Sequence, residues 1–420
     1  MREQRVVITG IGVVSPAGIG KEEFAESIFN GRNTIEEVNL FDTSFVKPQM
    51  LSKIKEFDFA RYLKKEESDH LSDVSMKSVI AAKLAILDSQ LKLNKENGKH
   101  VIDSVEPFDI GVSLGTGVGE SIDIETMTET VVKKGWKFVP EPLLRRFHNN
   151  DIAKDVSDYF GIKGVNQVFS TACSAGNDAI VYAYNQIKHN KAKIMIAGGA
   201  ESLSKTSIIG FLRMNAMTHE LCCPFDLNRK GTTPGEGAGI VILESYHHAL
   251  QRKAHIYAEI AGYGVSCDAF HLTKPDGSDM GGPVKALIKA VKSANIRESD
   301  VDYICAHGTG TKANDLMETR AIKHVFKESA RNIPISSIKS MIGHTGGASG
   351  ALGAIACVLA MQKNMVPPTI NYCTKDSECD LDYVPNKARE KEVKIAINNS
   401  FAFGGNNTCL VLKKDRSIDT

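Results

Sequence analysis

A chain of 420 residues is longer than one simple hydrophobic core usually supports, so two coupled halves are expected. Its 51 Lys and Arg against 50 Asp and Glu leave a formal net charge of +1, which argues against the one-signed field that nucleic-acid or membrane-surface binding draws on. Nine cysteines, odd in number and scattered with no C-x-x-C spacing, support neither a disulfide framework nor a zinc ribbon and fit a reduced cytosol.

Met1-Arg2-Glu3-Gln4-Arg5 runs directly into the strand-like Val6-Val7-Ile8-Thr9 with no apolar export segment, so a cytoplasmic chain is expected. Gly10-Ile11-Gly12 follows, but Val13-Val14-Ser15-Pro16 comes next and no third glycine suits a dinucleotide turn, so no nicotinamide cofactor is expected. A helix around Met76 to Leu87 and short β-branched runs at 110–114, 193–198 and 239–243 continue an alternation that predicts an α/β layered fold with buried strands. Near Ile256 the character repeats. Ile256 to Gly264 echoes Val6 to Gly12, and Cys305 to Thr311 echoes Val112 to Val118, which indicates an internal duplication into halves 1–250 and 251–420. The apolar stretch Ala351 to Met361 is far too short to span a bilayer and reads as a buried core helix.

The chemistry-bearing segments are few. Val168-Phe169-Ser170-Thr171-Ala172-Cys173-Ser174-Ala175-Gly176 places one cysteine between a strand and a small-residue run that can open a helix. Backbone N–H groups and the helix dipole there lower a thiol pKa, which makes Cys173 the candidate nucleophile; a small buried core residue is the plain alternative. His307, in Ala306-His307-Gly308-Thr309-Gly310-Thr311, follows the strand Val301 to Cys305, where βα turns carry function. Ser337 to Gly347 sets Lys339 and His344 in a Ser/Gly-rich turn, and Asn398 to Asn407 is a glycine loop around Phe403, the kind that gates pockets. Each alone has an ordinary reading as a turn residue or surface charge. Together they are the parts that acyl transfer through a thioester, followed by carbanion formation, requires.

On these motifs, with Pro224-Phe225-Asp226 and Gly235-Glu236-Gly237-Ala238-Gly239, the chain resembles a β-ketoacyl-acyl-carrier-protein synthase of the elongating type II class in the thiolase-like superfamily, from about Arg5 to Leu412. The resemblance implies a duplicated α/β/α/β/α five-layer sandwich. It implies that Cys173 carries the acyl chain, that His307 and His344 bind the malonyl thioester carbonyl, and that Lys339, paired with Glu318, organises them. It implies that Phe403 gates the acyl pocket and completes an oxyanion hole with the Cys173 backbone N–H, and that Thr309, Thr311, Phe401 and Gly404 contact substrate. No metal and no bound cofactor are implied, because substrates ride on the phosphopantetheine of an acyl carrier protein. A homodimer, or a heterodimer with a chain-length-factor-like subunit, is implied as well. Initiating synthases resemble a Cys-His-Asn set and thiolases use a second late cysteine, where this chain has Phe403.

Departures bear on the pathway. Arg229-Lys230-Gly231-Thr232-Thr233-Pro234 stands where fatty-acid synthases usually read Arg-Asp-Gly-Phe-Val, and Ala402 replaces the glycine before the gating Phe, a change expected to alter loop opening. Gly310 to Asp315 and Glu378 to Tyr383 look more like the discrete ketosynthases of type II aromatic or polyene polyketide assembly, toward which the reading leans; Asn399-Ser400-Phe401 leans toward fatty-acid elongation. Because Cys173 is present, a purely scaffolding or chain-length-determining subunit is not expected. Arg61, Lys64 and Lys65, or Arg145 and Arg146, are candidate landing sites for the acidic carrier protein.

Overall fold

The computed structural model describes residues 4–38, 40–41, 49–55, 58–96, 99–103, 105–144, 146 and 148–415. Runs rich in Val, Ile and Leu form β1 (Val6–Ser15), β2 (Ile110–Gly115), β3 (Asn166–Phe169), β4 (Ile194–Glu201) and β5 (Gly237–Ser245). A second set follows: β6 (Ala258–Cys267), β7 (Tyr303–Cys305), β8 (Ile335–Ser336), β9 (Ile395–Phe401) and β10 (Asn406–Lys413). The principal helices are α1 (Asp73–Asp88), α2 (Asp151–Phe160), α3 (Ala175–Lys188), α4 (Lys205–Arg213), α5 (Gly282–Ser293), α6 (Lys312–Phe326) and α7 (Ser349–Lys363).

With Gly18–Ile19 beside β1, the strands make one eleven-stranded sheet in the order β8-β7-β9-β10-β6-β1-β5-β4-β2-β3. The order reads the same outward from its centre, and the parallel pairs fall at the same places: β2 with β3 and β4, β7 with β8 and β9. Val7 with Glu259 and Ile8 with Ala258 join the two sides. The echo between the glycine-bearing strands has a packing cause. A Cβ on Gly12 would stand 1.9 Å from the Ala81 carbonyl oxygen of α1, and one on Gly264 would stand 1.9 Å from the Ala286 carbonyl oxygen of α5. Each helix rests directly on strand backbone, so the Gly-x-Gly pattern is a helix-docking surface.

Side-chain alternation assigns the layers. Along β5, Val241 and Leu243 face one cluster while Ile240 and Ile242 face another, the period of two expected when both faces of a strand are covered. The inner cluster holds Ile180 and Tyr184 of α3 and Leu352, Ile355 and Leu359 of α7, packed on strands of both halves. Outside it, α1 and α2 cover one half through Val79, Ile80, Val156 and Phe160. On the other half, α5 and α6 do the same through Val284, Leu287, Met317 and Ile322. The arrangement is α/β/α/β/α. From Ser349 to Met361 every residue of α7 is buried, as for a helix surrounded on all sides. Among the described residues, no helix is long and apolar enough to cross a membrane.

One boundary departs from its sequence reading. The strand ahead of the Phe403 loop continues through Asn398, Asn399 and Ser400 to Phe401. These polar residues are buried because their side chains have partners across the fold: Asn398 Nδ2 donates to Asn177 Oδ1 at 2.8 Å and Asn399 Nδ2 to Glu318 Oε1 at 3.1 Å.

Candidate active site

Cys173 sits on a tight helical turn, Ala172–Ser174, between β3 and α3. Ala172 has φ 53°, a region few non-glycine residues occupy, so the turn that presents the thiol is strained. Asp178 holds it in place, accepting from Thr171 Oγ1 at 2.5 Å, from Ser174 Oγ at 2.9 Å and from Thr408 Oγ1 of β10. The equivalent turn of the second half, between β8 and α7, carries His344, whose Nδ1 is 2.9 Å from Ser349 Oγ. His307 follows β7, its ring centroid 5.5 Å from that of His344 at 84° and 6.2 Å from that of Phe401.

These turns converge. One ligand atom from each of Cys173, His307 and His344 lies within 4.8 Å of the others, and all three side chains are buried. Among the described residues this is the only group of three close enough to share a metal ion. The backbone N–H groups of Cys173 and Phe403 both point at the sulfur. A helix terminus by itself would lower the thiol pKa; burial outweighs it and pushes the thiol up to about 11, with the Lys339 charge pulling the other way. Both imidazoles are held well below their ordinary value by burial and by Lys339, so they are neutral at pH 7.

Lys339 and Glu318 stand behind the site and not on its walls. Glu318 accepts the backbone N–H groups of His307 and Gly308, each at 2.8 Å, and the Asn399 amide. The expected ion pair with Lys339 is not formed, because the carboxylate is already engaged by amides; its charge reaches Lys339 at longer range. Glu201 is the counterpart in the first half, accepting from the amides of Gly117, Val118 and Gly347. Sequence reasoning missed Glu201 and Asp178, and did not foresee the contact of Asn399 with Glu318. The only mark of the two acids was a carboxylate among small residues.

Thr309, Thr311, Phe401 and Phe403 line one cavity with Cys173 and both histidines. Gly404 lies off its wall, its N–H donating to Leu272 O at 2.8 Å. A second cavity opens behind the thiol. Cys173, Phe211, His344 and Phe403 stand on both, with the Phe211 and Phe403 rings 6.1 Å apart at the partition. Ala402 adopts φ −97° and ψ 156°, extended backbone that an alanine takes without strain; the positive φ values fall on Gly404 and Gly405.

The divergent segment after Asp226 straps the two histidine turns together. Gly231 N donates to Gly310 O at 3.0 Å, His344 N to Thr233 O at 2.6 Å and Gly235 N to His344 O at 2.9 Å. Buried Arg229 anchors it through Asp376 at 2.6 Å, and exposed Lys230 pairs with Glu220 at 2.6 Å. Of the basic clusters, Arg146 is turned inward, donating to Leu71 O and Pro142 O, and Arg145 lies outside the described residues. Arg61 is 79% exposed beside Asp58, and Lys64 and Lys65 are exposed.

The beta-ketoacyl synthase N-terminal domain matches residues 3–249 and the C-terminal domain matches residues 257–373. The chain belongs to the beta-ketoacyl synthase family. This ketosynthase is 37% identical over 423 residues to 3-oxoacyl-[acyl-carrier-protein] synthase 2 of Synechocystis sp., covering 99% of each chain. It is 38% identical over 427 residues to the protein of the same name from Coxiella burnetii, again covering 99% of each. Among solved structures, the ishigamide ketosynthase/chain length factor superposes with TM-score 0.91 at 36% identity, covering 98% of this chain and 100% of that one. A type II polyketide ketosynthase solved with its acyl carrier protein and a hexaketide superposes with TM-score 0.89 at 34% identity, covering 99% and 100%. Ketosynthases are acyltransferases, and this chain is an enzyme of that class.

Proposed function

We propose that this ketosynthase catalyses decarboxylative Claisen condensation of a Cys173-bound acyl chain with a malonyl carrier protein, in type II polyketide assembly. The observation that carries the reaction is the convergence of the Cys173 thiol and two neutral imidazoles within 4.8 Å, with two backbone amides turned toward the sulfur. The Cys173 thiolate attacks the acyl thioester carbonyl, and the N–H groups of Cys173 and Phe403 hold the oxyanion. The carrier thiol leaves with the proton that Cys173 gave up, and the acyl group remains on Cys173. The malonyl thioester then enters past Thr309 and Thr311, its carbonyl oxygen between His307 and His344. This role needs the His344 proton on Nε2, the tautomer in which Nδ1 accepts from Ser349 Oγ–H across their 2.9 Å contact. The bond to the carboxylate breaks, CO2 departs, and the electron pair enters an enolate that the imidazole N–H groups stabilise. Its carbon attacks the acyl–Cys173 carbonyl, a carbon–carbon bond forms, and the thiolate is released.

No bound cofactor takes part, since substrates arrive on carrier phosphopantetheine; the relative solved with its acyl carrier protein supports a carrier protein as the partner. The two halves, 1–250 with the nucleophile and 251–420 with the histidines, divide the work. A chain-length-factor-like subunit or a second copy is the partner; likeness to the ishigamide ketosynthase/chain length factor supports the former. Nine free thiols support a cytoplasmic setting. Fatty-acid elongation is the second reading, favoured by the curated relatives at 37% and 38% identity. Intact-mass analysis of Cys173 adducts and products, from acyl and malonyl carrier proteins with and without a partner subunit, tests both. Multiply extended chains that need a second subunit support polyketide assembly. Singly elongated β-ketoacyl products from this chain alone support fatty-acid elongation, and an absence of any acyl adduct overturns the ketosynthase reaction.

A further inference from the structure

The cavity of about 250 Å³ behind the thiol is walled on one side by α4 and its C-terminal cap, which present Thr206, Gly210 and Met214 at successive i, i+4 positions, with Phe211 at the inner mouth. Several polar groups of the lining, on α4 and opposite it, are already engaged. Both Glu201 oxygens accept from backbone amides, Oε1 from Val118 and Oε2 from Gly117 and Gly347, and Ser207 Oγ donates to Ser204 O at 2.9 Å. What the cavity offers an occupant is therefore chiefly apolar surface, which suits an alkyl or polyene chain.

Gly210 stands inside this helix without a backbone reason. Its φ is not positive, and a Cβ built on it meets no atom within 4 Å. Glycine is among the poorest helix formers, so a position where alanine fits freely and glycine persists is one where the missing side chain leaves useful space. The space lies next to Phe211, in the cavity that Cys173 also lines.

We propose that Gly210 is the residue of this chain that sets how long an acyl group the pocket accepts, by leaving the middle of the α4 wall open. This rests on the ketosynthase reading above. A side chain at 210 projects into the cavity and meets the distal carbons of a long acyl group, while a short one ends before reaching it.

The test compares unsubstituted protein with Gly210→Leu and Gly210→Ala, following Cys173 acylation by acetyl-, octanoyl- and palmitoyl-carrier protein with intact mass and rate. Gly210→Leu is expected to keep acetyl transfer and to lose palmitoyl transfer by about tenfold or more, the scale on which an obstructed pocket discriminates. Gly210→Ala, which adds no clash, is expected to melt no lower than the unsubstituted protein and to slow only the longest donor. Equal slowing at every chain length, or no change at any, overturns the assignment. If the unsubstituted protein accepts no donor at all, the ketosynthase reading itself is overturned, a result the first comparison separates from failure of Gly210 alone.

Discussion

The backbone N–H of His307 donates to Glu318 Oε1 at 2.8 Å, and the next amide, of Gly308, donates to Oε2 at the same distance. Glu201 grips Gly117 and Val118 of the first half in the same manner. Two buried carboxylates thus clamp duplicated turns, one of which carries a histidine into the site. The histidine is placed by its main chain.

Glu318→Gln leaves an amide NH2 facing one of those two backbone donors. Losing one buried hydrogen bond and stranding its donor costs about 1–3 kcal/mol. Condensation should fall while acylation of Cys173 persists, read by separate mass assays of adduct and product. Equal loss of both steps would make Glu318 a general folding residue.

Cys173→Ala should abolish the acyl adduct yet retain decarboxylation of malonyl carrier protein, because both imidazoles remain in place. His307→Ala and His344→Ala should show the reverse, keeping acylation and losing condensation by about a hundredfold or more, the usual effect of removing an oxyanion donor. A histidine variant that condenses at the original rate would remove that residue from the proposed role.

With the thiol pushed up to about 11, thiolate is the minor form at neutral pH. Alkylation of Cys173 by iodoacetamide should therefore rise about tenfold per pH unit from about pH 7 to about pH 9 without levelling. Lys339 opposes the upward shift, so Lys339→Met should slow alkylation at any fixed pH. A plateau inside that range would contradict the geometry at the sulfur.

Burial and the Lys339 charge depress both histidines below the ordinary imidazole value. Below about pH 6.5 the unfolded chain binds protons that the folded site refuses. Stability present above that pH is lost as pH falls, with a limiting slope of about 2.7 kcal/mol per unit for two such groups. Urea unfolding on either side of that pH, at about 7.5 and about 5.5, measures it. His307→Gln should roughly halve that part of the acid dependence, and an unchanged slope would mean the loss arises elsewhere.

The layered α/β class, and the glycine turns on which Cys173, His307, His344 and Phe403 sit, were legible in the sequence, because strand alternation and glycine turns are local patterns. Even the Gly12 and Gly264 echo could be read there, although its cause, a helix backbone 1.9 Å from where each Cβ would stand, could not. What depends on burial and distant partners emerged only when the chain was folded. A helix terminus predicts a lowered thiol pKa, but full enclosure reverses it. Glu318 could be assigned to Lys339 from its family role, yet the amides of His307 and Gly308 reach it first. Asn398 and Asn399 read as loop residues until their partners on α3 and α6 draw them into a strand. Phe211, nearly two hundred residues from Phe403 in the chain, meets it across the partition between two cavities. Contacts at that separation leave no periodic trace, because they are set by how the two halves close around α3 and α7.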